Sequence, residues 1–197
     1  MLELSTFPVP CCGIDEAGRG PWAGPVVAAA VILDPANTPI GLNDSKKLSA
    51  IRRETLFGQI LATSRVGIGE ASVDEIDALN ILQATYLAMR RAIEALPIPP
   101  GHALIDGNRI PPDMPCTAEA IIKGDAKIPA IAAASIIAKV TRDRIMSRLD
   151  AEFPGYGWAQ NAGYGVAAHA KALIELGVTP YHRRSFKPVH KMLCEEN

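Results

Sequence analysis

The sequence is poor in aromatic residues, 5% of 197, which excludes a platform of stacked rings of the kind that grips single strands without sequence preference. It has no apolar run approaching the ~20 residues that a membrane span requires. The first ten residues have no basic stretch followed by an apolar one, so no secretory signal is expected. Cysteine is scarce, with four residues and no C-x-x-C pair. The adjacent Cys11 and Cys12 read as small buried residues of a strand, and the expected setting is a reducing cytoplasm. Net charge is almost missing as well, at −1, which argues against a bulk polyanion binder of the histone kind.

What is present is enough chain for one domain, which buries roughly 70% of its unfolded surface without a disulfide or metal staple. The neutral total hides an uneven distribution. Residues 1–122 hold 9 Lys+Arg against 14 Asp+Glu, and residues 139–191 hold 9 against 4. Apolar runs at 11–15, 26–33, 65–71, 102–105 and 118–122 predict five strands, the second buried on both faces by its continuous apolarity. Helices are predicted at 50–62 behind a Ser49 cap, from the Ser72–Glu75 capping box through Ile93, at 130–149, and at 167–176. Residues 151–165 read as Gly-rich loop. The close spacing of the first three strands predicts antiparallel neighbours, and the helix before the fourth predicts a parallel crossover. This is an α/β pattern with one main sheet.

Chemistry concentrates where the strands stop. Asp15 and Glu16 close the first strand, Asp106 closes the fourth, and Asp125 follows the fifth. Neighbouring strand ends are the usual site of an α/β sheet. Crowded carboxylates raise one another's pKa unless cations neutralise them, and oxygen donors without His or Cys suit magnesium or manganese. Asp15 and Glu16 point to opposite faces of a regular strand, so their convergence is expected to need a departure from β geometry, which Gly18 and Gly20 permit. The Gly18-Arg19-Gly20 turn offers backbone N–H groups beside a guanidinium. It is neither a dinucleotide fingerprint nor a P-loop. Lys46 and Lys47 precede a helix start, where phosphate is welcome. Lys139, Arg142, Arg144 and Arg148, and the run His182-Arg183-Arg184, read as a basic track for a nucleic-acid backbone. His169 and His182 read as structural or as phosphate neighbours, and Asp143 as a helix partner of Lys139. The acidic cluster alone leaves open a DNA-acting integrase or resolvase and a non-catalytic nucleic-acid binder.

The segment Gly13-Ile14-Asp15-Glu16-Ala17-Gly18-Arg19-Gly20-Pro21 resembles the opening signature of bacterial ribonuclease HII, the type 2 ribonuclease H. Further matches are Asp44-Ser45-Lys46-Lys47-Leu48, Asp106-Gly107-Asn108, Lys123-Gly124-Asp125-Ala126-Lys127, the run 132–144, Gly163-Tyr164 and His182-Arg183-Arg184-Ser185-Phe186. The resemblance implies a ribonuclease H-like mixed five-stranded sheet flanked by helices in residues 1–150, with a C-terminal helical extension in 151–197 packed on it. It implies two-metal-ion cleavage of the RNA strand of RNA–DNA hybrids, and nicking 5′ to single ribonucleotides embedded in duplex DNA, leaving 5′-phosphate and 3′-hydroxyl ends. The implied metal ligands are Asp15, Glu16, Asp106 and Asp125, holding Mg or Mn. Gly18, Arg19 and Gly20 would read the 2′-hydroxyl, the group that separates RNA from DNA. Tyr164 would pack on the deoxyribose that follows, and Lys46, Lys47 and Ser135 would contact phosphate. The enzyme is expected to act as a monomer, away from membranes. Two positions depart from the family pattern: Gly165-Val166 stands where Pro-Thr is usual, and Trp22 where a smaller aliphatic is common. The related type 3 enzymes carry an additional N-terminal domain, for which a first strand at about residue 11 leaves no room.

Overall fold

A computed structural model describes residues 10–195. All but the last residue of the segment read for a secretory signal, and the extreme end of the acidic tail, lie outside them. In chain order the elements are β1 (Cys11–Ala17), β2 (Val26–Ile32), α1 (Ala50–Thr63), β3 (Arg65–Ala71), α2 (Val73–Leu79), α3 (Ile81–Glu94), β4 (His102–Asp106), β5 (Thr117–Ile121), α4 (Pro129–Glu152), α5 (Trp158–Asn161), α6 (Ala167–Leu176) and α7 (Lys187–Glu195). The five strands form one mixed sheet in the order β3-β2-β1-β4-β5. As their spacing predicts, β1, β2 and β3 are antiparallel neighbours. The long excursion through α1, β3, α2 and α3 returns β4 parallel to β1, and β5 follows parallel to β4.

Strand alternation divides the interior in two. Cys11, Ala29, Val31 and Leu104 face α4 and α1 and join Leu56, Ile60, Ile131 and Ile136. Cys12, Ile14, Ala28, Ala30 and Ile105 face α3 and join Ala88, Met89 and Ala92. The two adjacent cysteines are thus buried on opposite faces, and burial pushes the Cys11 thiol up to about 11. The close seat of α4 on β1 follows from Gly13, where a Cβ would lie 2.1 Å from the Ala130 carbonyl carbon. The first half of α4 is apolar all round because neighbours cover it on every side.

The structure corrects two expectations. The helix read from Ser72 to Ile93 is two helices, broken at Asn80, which adopts a left-handed φ of 72°. The Asn80 side chain accepts from Leu82 N and Gln83 N, capping α3. Apolar spacing ran on across this break because both helices bury the same face. The loop at 151–165 contains the one-turn α5, and the tail ends in α7. Residues beyond 150 build a third apolar cluster, in which Tyr156, Trp158 and Ala172 cover Met146 and Leu149 of α4 and Ala23 of the β1–β2 connection. Ala23 also bridges to His182, so the C-terminal segment is stitched directly to the turn that follows β1.

Candidate active site

β1 runs unbroken through Ala17, with Asp15 opposite Ala29 and Glu16 opposite Ala28. The expected departure from β geometry is absent. Asp15 points to the α4 side and Glu16 to the α3 side, where it shares a cleft with Thr85, Tyr86, Met89, Asp106 and Asn108. The two carboxylates stand on either side of one strand end. Asp15 is 8% exposed. Burial, and then the charges of Glu16, Asp106 and Asp125, hold its pKa well above the usual carboxylate range. Glu16 is raised by burial, a shift that Arg19 opposes across 3.4 Å.

Asp106 ends β4, and its Oδ1 accepts from Gly124 N at 2.7 Å, so the ends of β4 and of the turn after β5 are tied together. That turn is a short 3₁₀ segment at Gly124–Ala126, entered through Lys123 at φ 55°. It carries Asp125, whose pKa is raised by burial and by Asp106 and Asp44, against the pull of Lys46. Three strand ends therefore bring Glu16, Asp106 and Asp125 into electrostatic reach of Asp15. Asp44, from the loop before α1, is a fifth that sequence reasoning did not place there. Among the described residues no three such side chains stand close enough to hold a metal ion as they are. The donor chemistry nevertheless fits a hard cation: the donors are all carboxylate oxygens, and burial and crowding disfavour their combined negative charge.

Gly18 opens the next turn at φ 101°, and a Cβ there would strike Arg142 Nε at 2.0 Å. Only glycine meets both conditions. Arg142 and Arg183 lie behind this turn, 2% and 0% exposed. Arg183 Nε donates to Gly24 O at 2.9 Å, Nη1 to Arg19 O at 2.9 Å, and Nη2 to Gly18 O. Arg142 donates to Pro25 O, Ala162 O and Ala23 O at 2.8–3.0 Å. Among the described residues neither forms an ion pair; peptide carbonyls are their partners. Burial pulls their pKa down, to about 10 for Arg142 and about 9 for Arg183, and both remain charged at neutral pH. The sequence reading put both on an exposed basic track. They are instead an internal scaffold for the Gly18–Gly20 turn, held through its carbonyls. The signal for Arg142 was available in the α4 spacing, since Ala138, Arg142, Met146 and Leu149 share a buried stripe. Arg183 had none.

A cleft of about 440 Å³ gathers Asp15, Glu16, Gly18, Arg19, Gly20, Lys46, Ser135 and Tyr164, together with Ser45, Lys139 and Arg142. Residues 149 positions apart in sequence thus share one depression. Asp106 lines the adjoining cleft, which Glu16 and Arg19 also border. Asp125 and Lys47 line neither. Ser135 is 4% exposed, and its hydroxyl donates to Ser45 Oγ at 2.7 Å, pinning the Lys46 loop to α4. Lys139 pairs with Asp143 at 2.7 Å, as expected. His169 and His182 are fully buried, with Nε2 atoms 3.1 Å apart. Trp158 Nε1 donates to His169 Nε2, so that nitrogen is an acceptor and His169 Nδ1–H donates to Tyr164 O at 2.9 Å. These histidines are structural. The two positions that depart from the family pattern meet in space, because the Trp22 ring lies against Gly165.

A family model described as Ribonuclease HII matches residues 12–189. The chain is 65% identical over 184 residues to a Ribonuclease HII of Magnetococcus marinus, an alignment covering 92% of this chain and 86% of that one. In structure it resembles the ribonuclease H2 of Pyrococcus horikoshii OT3, with a TM-score of 0.78 and 29% identity over 94% of this chain and 97% of that one. It also resembles the RNase HII solved in complex with PCNA from Archaeoglobus fulgidus, with a TM-score of 0.73 and 30% identity over 90% and 95% of the two chains.

Proposed function

The chain belongs to the ribonuclease HII family and is a ribonuclease H-type hydrolase that cuts RNA of hybrids endonucleolytically; on that premise we propose that it also nicks duplex DNA 5′ to a single embedded ribonucleotide, leaving 5′-phosphate and 3′-hydroxyl ends. The observation that carries this reading is the one cleft that brings the carboxylates of Asp15 and Glu16 together with the Gly18–Gly20 turn and Tyr164. Asp15, Glu16, Asp106 and Asp125 would hold the metal. Divalent cations held there, two Mg or Mn by the family pattern, would supply an activated water and charge stabilisation for the departing 3′-oxygen.

The chain's own residues do the rest. The N–H groups of the Gly18–Gly20 turn, backed by Arg183 and Arg142, bind the 2′-hydroxyl and the adjoining phosphate through a preorganised backbone. Arg19 is half exposed and partners Glu16, so it can swing to a phosphate without a large burial cost. Tyr164, 46% exposed beside Gly20, lies against the next sugar, where a second 2′-hydroxyl would crowd it. Lys46 and Lys139 attract the backbone from the other wall. Ser135 acts by holding the Lys46 loop, and Lys47, outside the cleft, meets the duplex further along. All of these residues come from one chain, so a monomer suffices for the proposed activity. The deciding experiment is a duplex carrying one ribonucleotide, incubated with Mg²⁺ or Mn²⁺ beside an all-DNA control. A nick 5′ to the ribonucleotide alone is expected; no nick, or cutting of the all-DNA duplex, overturns the proposal.

A further inference from the structure

Trp22 and Gly165 fit together in a way that the cleavage chemistry does not use. Gly165 has no left-handed backbone angle, so glycine is needed there only for room. A Cβ at this position would lie 1.9 Å from Cε2 and 2.0 Å from Cζ2 of Trp22. The six-membered ring of the indole therefore rests on the Gly165 backbone. Gly165 is the centre of a tight turn in which Val166 N donates to Tyr164 O at 2.9 Å. The same carbonyl accepts from His169 Nδ1, and the His169 ring stands 5.6 Å from the indole. Trp22 N in turn donates to Gly163 O at 2.8 Å. Thus Trp22, one residue past the Gly18–Pro21 turn, braces the residues on both sides of Tyr164. The Tyr164 ring closes the circuit against Gly20, where a Cβ would come within 3.3 Å of Cε1.

We propose that Trp22 is a positioning residue for Tyr164: the indole seated on Gly165 sets the height of the Tyr164 ring over Gly20, and with it the preference for a deoxyribose after the ribonucleotide. This rests on the reading of Tyr164 given above. A leucine at 22 keeps the backbone bonds and loses the flat face that supports the turn. An alanine at 165 keeps the indole and pushes the turn away from it.

The test is steady-state nicking of the embedded-ribonucleotide duplex by Trp22→Leu, Gly165→Ala, the double variant, Tyr164→Ala and Trp22→Leu/Tyr164→Ala. Trp22→Leu and Gly165→Ala should each raise KM about fivefold to tenfold, the scale of one displaced aromatic–nucleotide contact, with kcat within about twofold, because the acidic residues are untouched. The double variant should resemble Trp22→Leu alone, since the smaller side chain makes room for the new methyl group. In the Tyr164→Ala background, Trp22→Leu should change KM no further. Trp22→Phe keeps a flat ring and should restore most of the wild-type KM; it carries the test if Trp22→Leu fails to fold. The proposal is overturned if the single effects multiply, if Trp22→Leu acts equally with and without Tyr164, or if kcat falls while KM holds. An inactive wild-type enzyme on this duplex would instead defeat the underlying function, and an inert Tyr164→Ala would defeat the reading of Tyr164, so these failures are distinguishable.

Discussion

Arg183→Lys tests whether a buried cation holds the Gly18–Gly20 turn. The substitution keeps the charge and most of the length but removes the planar fork. Arg183 now serves Gly24 O and Arg19 O at 2.9 Å and Gly18 O beside them. A single ammonium on the lysine stem is expected to keep about one of these bonds, so about two carbonyls lose a charged donor. Each such bond is worth about 1.5–3 kcal/mol, and partial relaxation puts the expected loss near the lower end of the sum, at about 3 kcal/mol. In a domain of this size that lowers Tm by roughly 6–12 °C. Thermal and urea melts at pH 7 measure it, with Arg184→Lys as the neighbouring control. Arg184 is exposed, only its backbone N being bonded to Asp77, and its replacement should shift stability by no more than about 0.5 kcal/mol. At 20 °C, where the variant remains folded, nicking should fall about tenfold or more, since a misplacement near 1 Å at a positioned group can cost ~10²-fold. A stability loss under about 1 kcal/mol, or equal losses at 183 and 184, would refute the scaffold role.

Asp106→Asn should abolish cutting, by about 10³-fold or more as judged by gel assay, because a carboxylate is lost from the cluster. Its melt should move by less than about 1 kcal/mol, since the amide oxygen can still accept from Gly124 N. His182 is held neutral by burial and by His169, with its pKa pulled down to about 4. The unfolded chain therefore binds the extra proton first as pH falls below about 6.5. The stability conferred by neutral His182 is complete above that pH and is lost towards pH 4, by about 3 kcal/mol. The difference between wild-type and His182→Asn melts across pH 7 to 4 isolates this contribution, and parallel curves would contradict it. Thiol titration of the native protein should modify Cys194 quickly and leave Cys11 and Cys12 unreacted until unfolding, because Cys194 is exposed and the other two are buried.

The strands were legible because their apolar runs are continuous and end in turns. Val26–Ile32 is buried almost throughout, and its limits show as a change in composition. The acidic site was legible as three apolar runs, each ending at or followed by carboxylates. The Ser49 and Ser72 caps, being local chemistry, also stand where expected. What stayed hidden depends on distant parts of the chain. The break at Asn80 is a backbone choice that leaves the apolar rhythm intact. Arg183 sits in a basic run that looks exposed, and the carbonyls of residues 18, 19, 24 and 25 make its burial favourable. The contact of Trp22 with Gly165 joins positions whose separate departures from the family pattern carry no sign of being related.

The straight course of β1 through Ala17 has a consequence for redesign. Asp15 shares its face with the α4 interior and Glu16 with the α3 interior. Each acid stands at the edge of a different hydrophobic compartment, and the two meet where the strand ends, in the cleft that both line. Volume changes at Ile131 or Ile136 act on the first compartment, and changes at Ala88 or Met89 on the second. Libraries built on the α4 compartment are thus expected to act first on Asp15, and those built on the α3 compartment first on Glu16.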